Sequence, residues 1–251
     1  MFIDVIKNRL EQGNKTSKYP KSKISLPKNY RGLPIINSEC SKDIVENCAK
    51  ICPQDAINVE NKSIDLRRCT FCGECEKLSN GEFVKFSQNF EMGTTNENDL
   101  IIGRDNKNME LKSKEYFKKI FGGSLQLRVI SAGGCNSCEA DINVLNTPVF
   151  DLSRFGIQFA ASPRHADGLL IVGPITKNME YALKMAYEAI PNPKVVIASG
   201  ACALSGGVFR DNSEQLNGVS DLFKVDLFVP GCPPHPMTLL YALVKFFSKK
   251  K

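Results

Sequence analysis

The ten cysteines of the chain fall into two groups, and their spacing is the strongest constraint on what it can become. The first group contains Cys69-Thr-Phe-Cys72-Gly-Glu-Cys75, with Cys52-Pro53 upstream. The second contains Cys135-Asn-Ser-Cys138, then Cys202 in a Gly-rich turn, then Cys232 in Pro230-Gly-Cys-Pro-Pro234. Three cysteines at two-residue spacing plus a remote Cys-Pro is the ligand grammar of a cubane iron–sulfur cluster. Each of the four irons takes one thiolate, so close spacing wraps three corners and a distant cysteine takes the fourth. Each group therefore supplies one set: Cys52, Cys69, Cys72 and Cys75, then Cys135, Cys138, Cys202 and Cys232. Two such sets in one chain read as a segment of electron wire.

Zinc is the main rival for the first group. Zinc sites usually pair two Cys-x2-Cys units, or one such unit with histidines, and this region has three close cysteines and no histidine. Disulfides are the other rival. A secreted disulfide scaffold would be shorter and would rarely carry a Cys-x2-Cys-x2-Cys run.

At 251 residues the chain suits one large domain or two small ones, and 42% apolar with 24% charged residues is an ordinary globular composition. No apolar run is long enough to span a bilayer, and Met1 to Lys7 does not look like a secretory signal. The basic excess, 33 against 27, gathers between Lys15 and Arg31 and from Lys245 to Lys251. A nucleic-acid binder would show a denser basic stripe interleaved with aromatics, so no nucleic-acid partner is expected. The two basic stretches read either as solvated surface or as contacts to an acidic partner or a membrane.

Residues 1–30 divide into a short amphipathic helix, apolar at positions 2, 3, 5, 6 and 10, and a basic stretch that reads as an extended arm or as a disordered tether. Residues 31–95 form a compact cysteine-rich module, and 96–122 a linker. From 123 to 251 the texture becomes strands alternating with helices. Strands are expected at 125–130, 157–161, 169–172, 194–198 and 225–229. Helices are expected from Ser137 to Leu145, from a Thr176 cap to Ile190, and from Pro236 onward. The expected class is α/β: a doubly wound, flavodoxin-like, mostly parallel sheet preceded by a small α+β ferredoxin-like module. Ligands in such sheets gather at the carboxyl ends of strands. Cys135, Cys202 and Cys232 each follow a different strand, which brings them to one edge of the sheet.

The stretch from Ser124 to Lys251 resembles the small electron-transfer subunit shared by membrane-bound [NiFe] hydrogenases and, as the B-type subunit, by respiratory complex I. The matching residues are Gly134-Cys135-Asn-Ser-Cys138-Glu139, Ser162-Pro-Arg-His-Ala-Asp167, Ser199-Gly-Ala-Cys202 through Gly207, and Pro230-Gly-Cys-Pro-Pro234. The complex I version is expected to have two adjacent cysteines at the first motif. Cys-x2-Cys here favours the energy-converting, formate hydrogenlyase-type branch. Residues 2 to about 92 resemble the ferredoxin-type subunit of the same complexes, so the chain looks like a fusion of two neighbouring subunits. In a two-cluster ferredoxin the fourth cysteine of each half serves the other cluster. Here the positions needed for a second cluster hold Lys42, Val45 and Ser79, leaving Cys48 and a displaced Cys40. Those two read as small buried hydrophobes, with a residual role as the alternative.

The resemblance implies two [4Fe-4S] clusters and a non-catalytic electron-transfer role in a multi-subunit, membrane-associated hydrogenase. The partners it implies are a large [NiFe] subunit, other subunits of the complex, and an electron donor such as ferredoxin or formate dehydrogenase. It places the chain peripherally on the cytoplasmic face of the membrane. The alternative is a nickel-free, complex I-like quinone-reducing or ion-pumping enzyme. No cysteine follows Cys232, so the chain has no second Cys-x2-Cys pair near its end to hold nickel. It also lacks Gly-x-Gly-x-x-Gly and Gly-x4-Gly-Lys-Ser/Thr, so nucleotide binding is not indicated. Glu139 is either a proton carrier or a helix cap, Arg164 and His165 are interface residues or a surface turn, and His235 is a candidate to tune the second site.

Overall fold

The structure is a computed structural model that describes residues 2–22, 24–103, 109, 111, 119–121 and 123–247. The first helix, α1 (Phe2–Gln12), buries none of its residues. The basic stretch after it is an arm laid along the rest of the chain. Ser17 N–H donates to Val149 O at 2.8 Å, and Arg154 donates to the carbonyls of Ser17 and Tyr19 at 2.7 and 3.1 Å. The Tyr19 ring stands edge-on to Phe90 and Phe155.

The small module follows as β1 (Pro34–Ile36), α2 (Lys42–Ile51), β2 (Ile57–Asn58), β3 (Ser63–Asp65), α3 (Glu74–Leu78), β4 (Val84–Phe86) and β5 (Ile101–Ile102). Asp43 in the first turn and Lys50 in the last complement the dipole of α2, and Val45 and Cys48, three apart, form its buried face. The helix stops at Cys52 because a residue before proline is pushed into extended backbone, and Cys52 has φ −69° and ψ 114°. β1 pairs antiparallel with β4, and β2, β3 and β5 form an antiparallel sheet. The expected linker thus starts as structure. β5 pairs with Ile64–Asp65, and just before the expected linker Thr94 exchanges both backbone hydrogen bonds with Phe228, at 3.0 and 2.8 Å. Most of the remaining expected linker lies outside the described residues.

The C-terminal half contains β6 (Leu125–Ser131), α4 (Ser137–Val144), β7 (Ile157–Phe159), β8 (Gly168–Val172), α5 (Lys177–Ala189), β9 (Val195–Ser199), α6 (Ala201–Ser205), β10 (Leu227–Val229) and α7 (Pro236–Phe247). All strand pairs are parallel, in the order β10-β9-β8-β6-β7. That is the flavodoxin-like order, with its switch point between β6 and β8. Every residue of β8 and β9 is buried, as expected for parallel strands covered on both faces. One sheet face packs with Leu239, Leu243 and Phe246 of α7. The other joins Leu169, Ile171, Val196 and Ala198 to Val45, Leu66 and Phe83 of the small module in one continuous core. The two modules are therefore fixed against each other. Among the described residues, no helix is long and apolar enough to cross a membrane.

Candidate iron–sulfur centres

The first four cysteines meet beside a small cavity lined by Cys52, Cys69, Cys72 and Cys75 together with Ile64 and Phe86. Cys52 sits at the carboxyl cap of α2, and Cys75 in α3, whose amino-terminal cap, Gly73, has φ +80°. Backbone N–H groups of Ala56 and Phe71 donate to the sulfurs of Cys52 and Cys69, each at 3.4 Å. Burial first, and then the nearby thiols of Cys75, Cys52 and Cys72, push the Cys69 thiol up to about 12 against the lowering effect of the Phe71 N–H. Cys75 is also raised to about 12 by burial, and then by Cys48, Cys72 and Cys52. Four sulfurs that crowd one another in an apolar hollow would repel as bare thiolates. Bound iron removes that penalty, because the metal ligand is the thiolate. The donor set fits a cluster.

The second four cysteines meet at the carboxyl edge of the parallel sheet. Cys135 follows β6, Cys138 lies in the first turn of α4, Cys202 in α6 after β9, and Cys232 in the turn after β10. Cys138 is pushed up to about 12 by burial first, then by Cys202, Cys232, Glu139 and Cys135. Cys202 rises to about 11 by burial and by Cys232 and Cys135. Exposed Cys135 moves the other way, because the Ser137 hydroxyl, 3.4 Å away, and the Ser137 backbone favour its thiolate.

Two glycines clear the space around these sulfurs. A Cβ on Gly200 would stand 2.7 Å from Cys138 Sγ, and one on Gly207 would stand 2.7 Å from Cys202 Sγ. Both also have positive φ, +91° and +55°, a conformation glycine adopts at no steric cost. Beside Gly200, the Ser199 hydroxyl is buried with no hydrogen-bond partner among the described residues, a donor left over in the segment that carries Cys202. This donor set also fits a cluster. Among the described residues no group of three or more Cys, His, Asp or Glu side chains is set to hold a single metal ion. A cubane does not require that arrangement, since each thiolate binds its own iron.

Of the positions expected from the resemblance to belong to a lost second cluster, Lys42 is exposed and the others are buried. Val45 and Cys48 are fully buried, and Cys40 is nearly so. Ser79 Oγ donates to Cys75 O at 2.8 Å, and Lys62 Nζ donates to Ser38 O and Cys40 O at 2.8 and 2.7 Å.

A seam joins the two cysteine sites. Ser205 Oγ, three residues after Cys202, donates to Arg67 O, two residues before Cys69, at 2.9 Å. Arg210 donates to Gln54 O at 3.2 Å and pairs with Asp55 at 3.4 Å, just after Cys52. Arg67 is itself held by Asp65 and Glu97. A polar cavity of about 310 Å³ lies in the seam, between Arg67 and Arg68 on one side and Ser205, Arg210 and Asn217 on the other.

The other candidates have ordinary surroundings. Glu139 accepts a hydrogen bond from Ser131, tying α4 to the end of β6. Arg164 and His165 are exposed in a 3₁₀ turn, Pro163–His165. His235 Nδ1 accepts from Met237 N–H at 3.1 Å, the Tyr30 ring stands edge-on to it, and burial holds its pKa low. Sequence reading missed the reason for Gly200 and Gly207 although both stand in the quoted motif, and it missed Ser137 and the seam altogether.

The model of the NADH ubiquinone oxidoreductase 20 kDa subunit family matches residues 135–246, from the first cysteine of the second set into α7. The membrane-bound hydrogenase subunit named mbhJ of Pyrococcus furiosus is 40% identical over 131 residues, 52% of this chain and 78% of that protein. The B-type subunit of the NADH-quinone oxidoreductase of Citrifermentans bemidjiense is 46% identical over 116 residues, 46% of this chain and 68% of that protein. The chain belongs to this family. Formate hydrogenlyase subunit 7 of Escherichia coli is 44% identical over 124 residues, 49% of this chain but only 48% of that longer protein. The family supplies electron-transfer subunits to oxidoreductase complexes of the hydrogenase and complex I-like kinds, and its chemistry is that of iron and sulfur. Membership rests on the C-terminal half. The module before residue 123 stands on its own residues.

Proposed function

We propose that the chain relays electrons through two [4Fe-4S] clusters to or from the active site of a large subunit in a membrane-associated [NiFe] hydrogenase. Cys52, Cys69, Cys72 and Cys75 hold the first cluster, and Cys135, Cys138, Cys202 and Cys232 the second. The seam carries this reading: the loops that bear Cys52 and Cys69 are hydrogen-bonded to the segment that bears Cys202. The clusters supply the one-electron chemistry. The protein contributes thiolate ligation, burial, and N–H donors to sulfur, which together set the potentials.

The large subunit covers the sheet edge where Cys135 and Cys232 lie exposed, and the donor, a ferredoxin or a formate dehydrogenase, reaches the first cluster. The complex sits on the cytoplasmic face of the membrane. The Cys-x2-Cys spacing at Cys135 favours the hydrogenase. A second reading, a nickel-free complex I-like enzyme, is favoured by the 46% identity to the NADH-quinone oxidoreductase relative. Gentle anaerobic extraction from native membranes tests both. The hydrogenase reading expects a co-purifying large subunit that contains nickel and both Cys-x2-Cys pairs, and an isolated chain without nickel or hydrogen evolution. A large subunit without those pairs establishes the second reading. An active, air-stable monomer overturns both.

A further inference from the structure

We infer that α1 and the basic arm form a docking surface for an anionic lipid bilayer. Phe2, Ile3, Val5, Ile6 and Leu10 are all exposed, three of them at 78%. At about 100° per residue they occupy an arc of roughly 160° on the helix. The described residues of the chain leave this stripe uncovered. An isolated helix shorter than about 12–15 residues is marginal in water, so the helix needs a partner surface. Its 11 residues give a length of about 16 Å, too short to cross a bilayer but suited to lying in its interface.

Charge identifies the occupant. Between Glu11 and Glu39 there is no acidic residue, while Lys15, Lys18, Lys21, Lys23, Lys28 and Arg31 are basic. Of these, Lys15, Lys18, Lys21, Lys28 and Arg31 are exposed. An apolar stripe followed by clustered cations is the arrangement that holds a helix on anionic headgroups. The surface is also fixed in place. Ser17 and Tyr19 are clamped to Val149 and Arg154, so only residues 13–16 separate the helix from the folded body. Bilayer contact there would hold the relay at the membrane, where no helix among the described residues is long and apolar enough to span it. The inference rests on the membrane-associated reading above, but it does not depend on cluster ligation.

The test uses the full, cluster-loaded chain and sedimentation with vesicles of phosphatidylcholine, with or without phosphatidylglycerol. Binding is expected only to the anionic vesicles, and it should weaken as salt rises. Ile3→Ser with Leu10→Ser should weaken it about a hundredfold, the value of two buried apolar side chains. Lys15→Gln, Lys18→Gln and Lys21→Gln should each cost about fivefold. Absorption of the clusters should be unchanged in every variant, which separates this surface from the electron-transfer reading. Absence of vesicle binding, or binding indifferent to Ile3→Ser with Leu10→Ser, overturns the inference. So does a variant that keeps its vesicle binding but no longer co-purifies with a protein partner, because α1 would then be a protein-docking helix.

Discussion

Ser205 Oγ donates to Arg67 O at 2.9 Å across 138 positions of sequence, joining the segment after Cys202 to the segment before Cys69. This contact ties the two cysteine sites into one body. Ser205→Ala removes the hydrogen bond to the part-buried Arg67 carbonyl, which costs about 1 kcal/mol. The variant should keep its full iron content, unfold at a lower temperature, and equilibrate electrons more slowly between its clusters after rapid one-electron reduction. Unchanged kinetics would show that the seam is structural only.

Gly207→Ala tests the space around the second site. The added Cβ meets Cys202 Sγ at 2.7 Å on a backbone with φ +55°, and the conformation alone costs about 1–2 kcal/mol. Iron per chain should fall from about eight to about four, with the first cluster's spectrum kept. Full iron content would mean that Cys202 is not a ligand in this arrangement.

Cys72→Ser and Cys40→Ser separate a proposed ligand from a spare thiol. Cys72 lines the first cavity, whereas Cys40 is nearly buried and its carbonyl accepts from Lys62. Cys72→Ser should lose the first cluster and much of the small module's stability, since a small core leans on its metal. Cys40→Ser should keep both clusters and cost about 1 kcal/mol for burying a hydroxyl. Equal cluster loss in the two variants would make Cys40 a ligand.

The thiols of the second site differ in acidity, and the sign of the difference is testable in the metal-free chain. Ser137 holds the Cys135 pKa below its ordinary 9.0, so a larger fraction is thiolate near neutral pH. Cys138, pushed up to about 12, stays protonated until strongly alkaline pH. Iodoacetamide at pH 7 to 8 should therefore label Cys135 first, as read by peptide mass spectrometry. Ser137→Ala should move its labelling to higher pH, and cluster loading should protect it. Equal labelling of Cys135 and Cys138 would contradict the assignment.

Much of the second half was legible in the sequence because parallel strands buried on both faces leave unbroken apolar runs, such as Leu169–Val172 and Val195–Ala198. The second run fixes where Cys202 emerges, while Cys135 follows the half-buried β6 and Cys232 the short buried run Leu227–Val229. β5 was illegible, since two isoleucines carry no period and their partner is Ile64–Asp65, far upstream. The docking of the arm hangs on Tyr19 and on Arg154 side-chain bonds to backbone carbonyls, contacts that leave no pattern in sequence. Spacing pointed to the cysteine sets, while the role of Gly200 and Gly207 became visible only from Cys138 Sγ and Cys202 Sγ, each 2.7 Å from where a Cβ would stand.

The most direct test of a two-cluster relay is electron paramagnetic resonance of the anaerobically reconstituted, dithionite-reduced chain, read with its iron content. The account predicts about eight irons and two interacting cluster signals per chain, with one signal lost in Cys72→Ser and the other in Cys138→Ser. About four irons with a single signal, or about twelve with a third signal lost in Cys48→Ala, would contradict it.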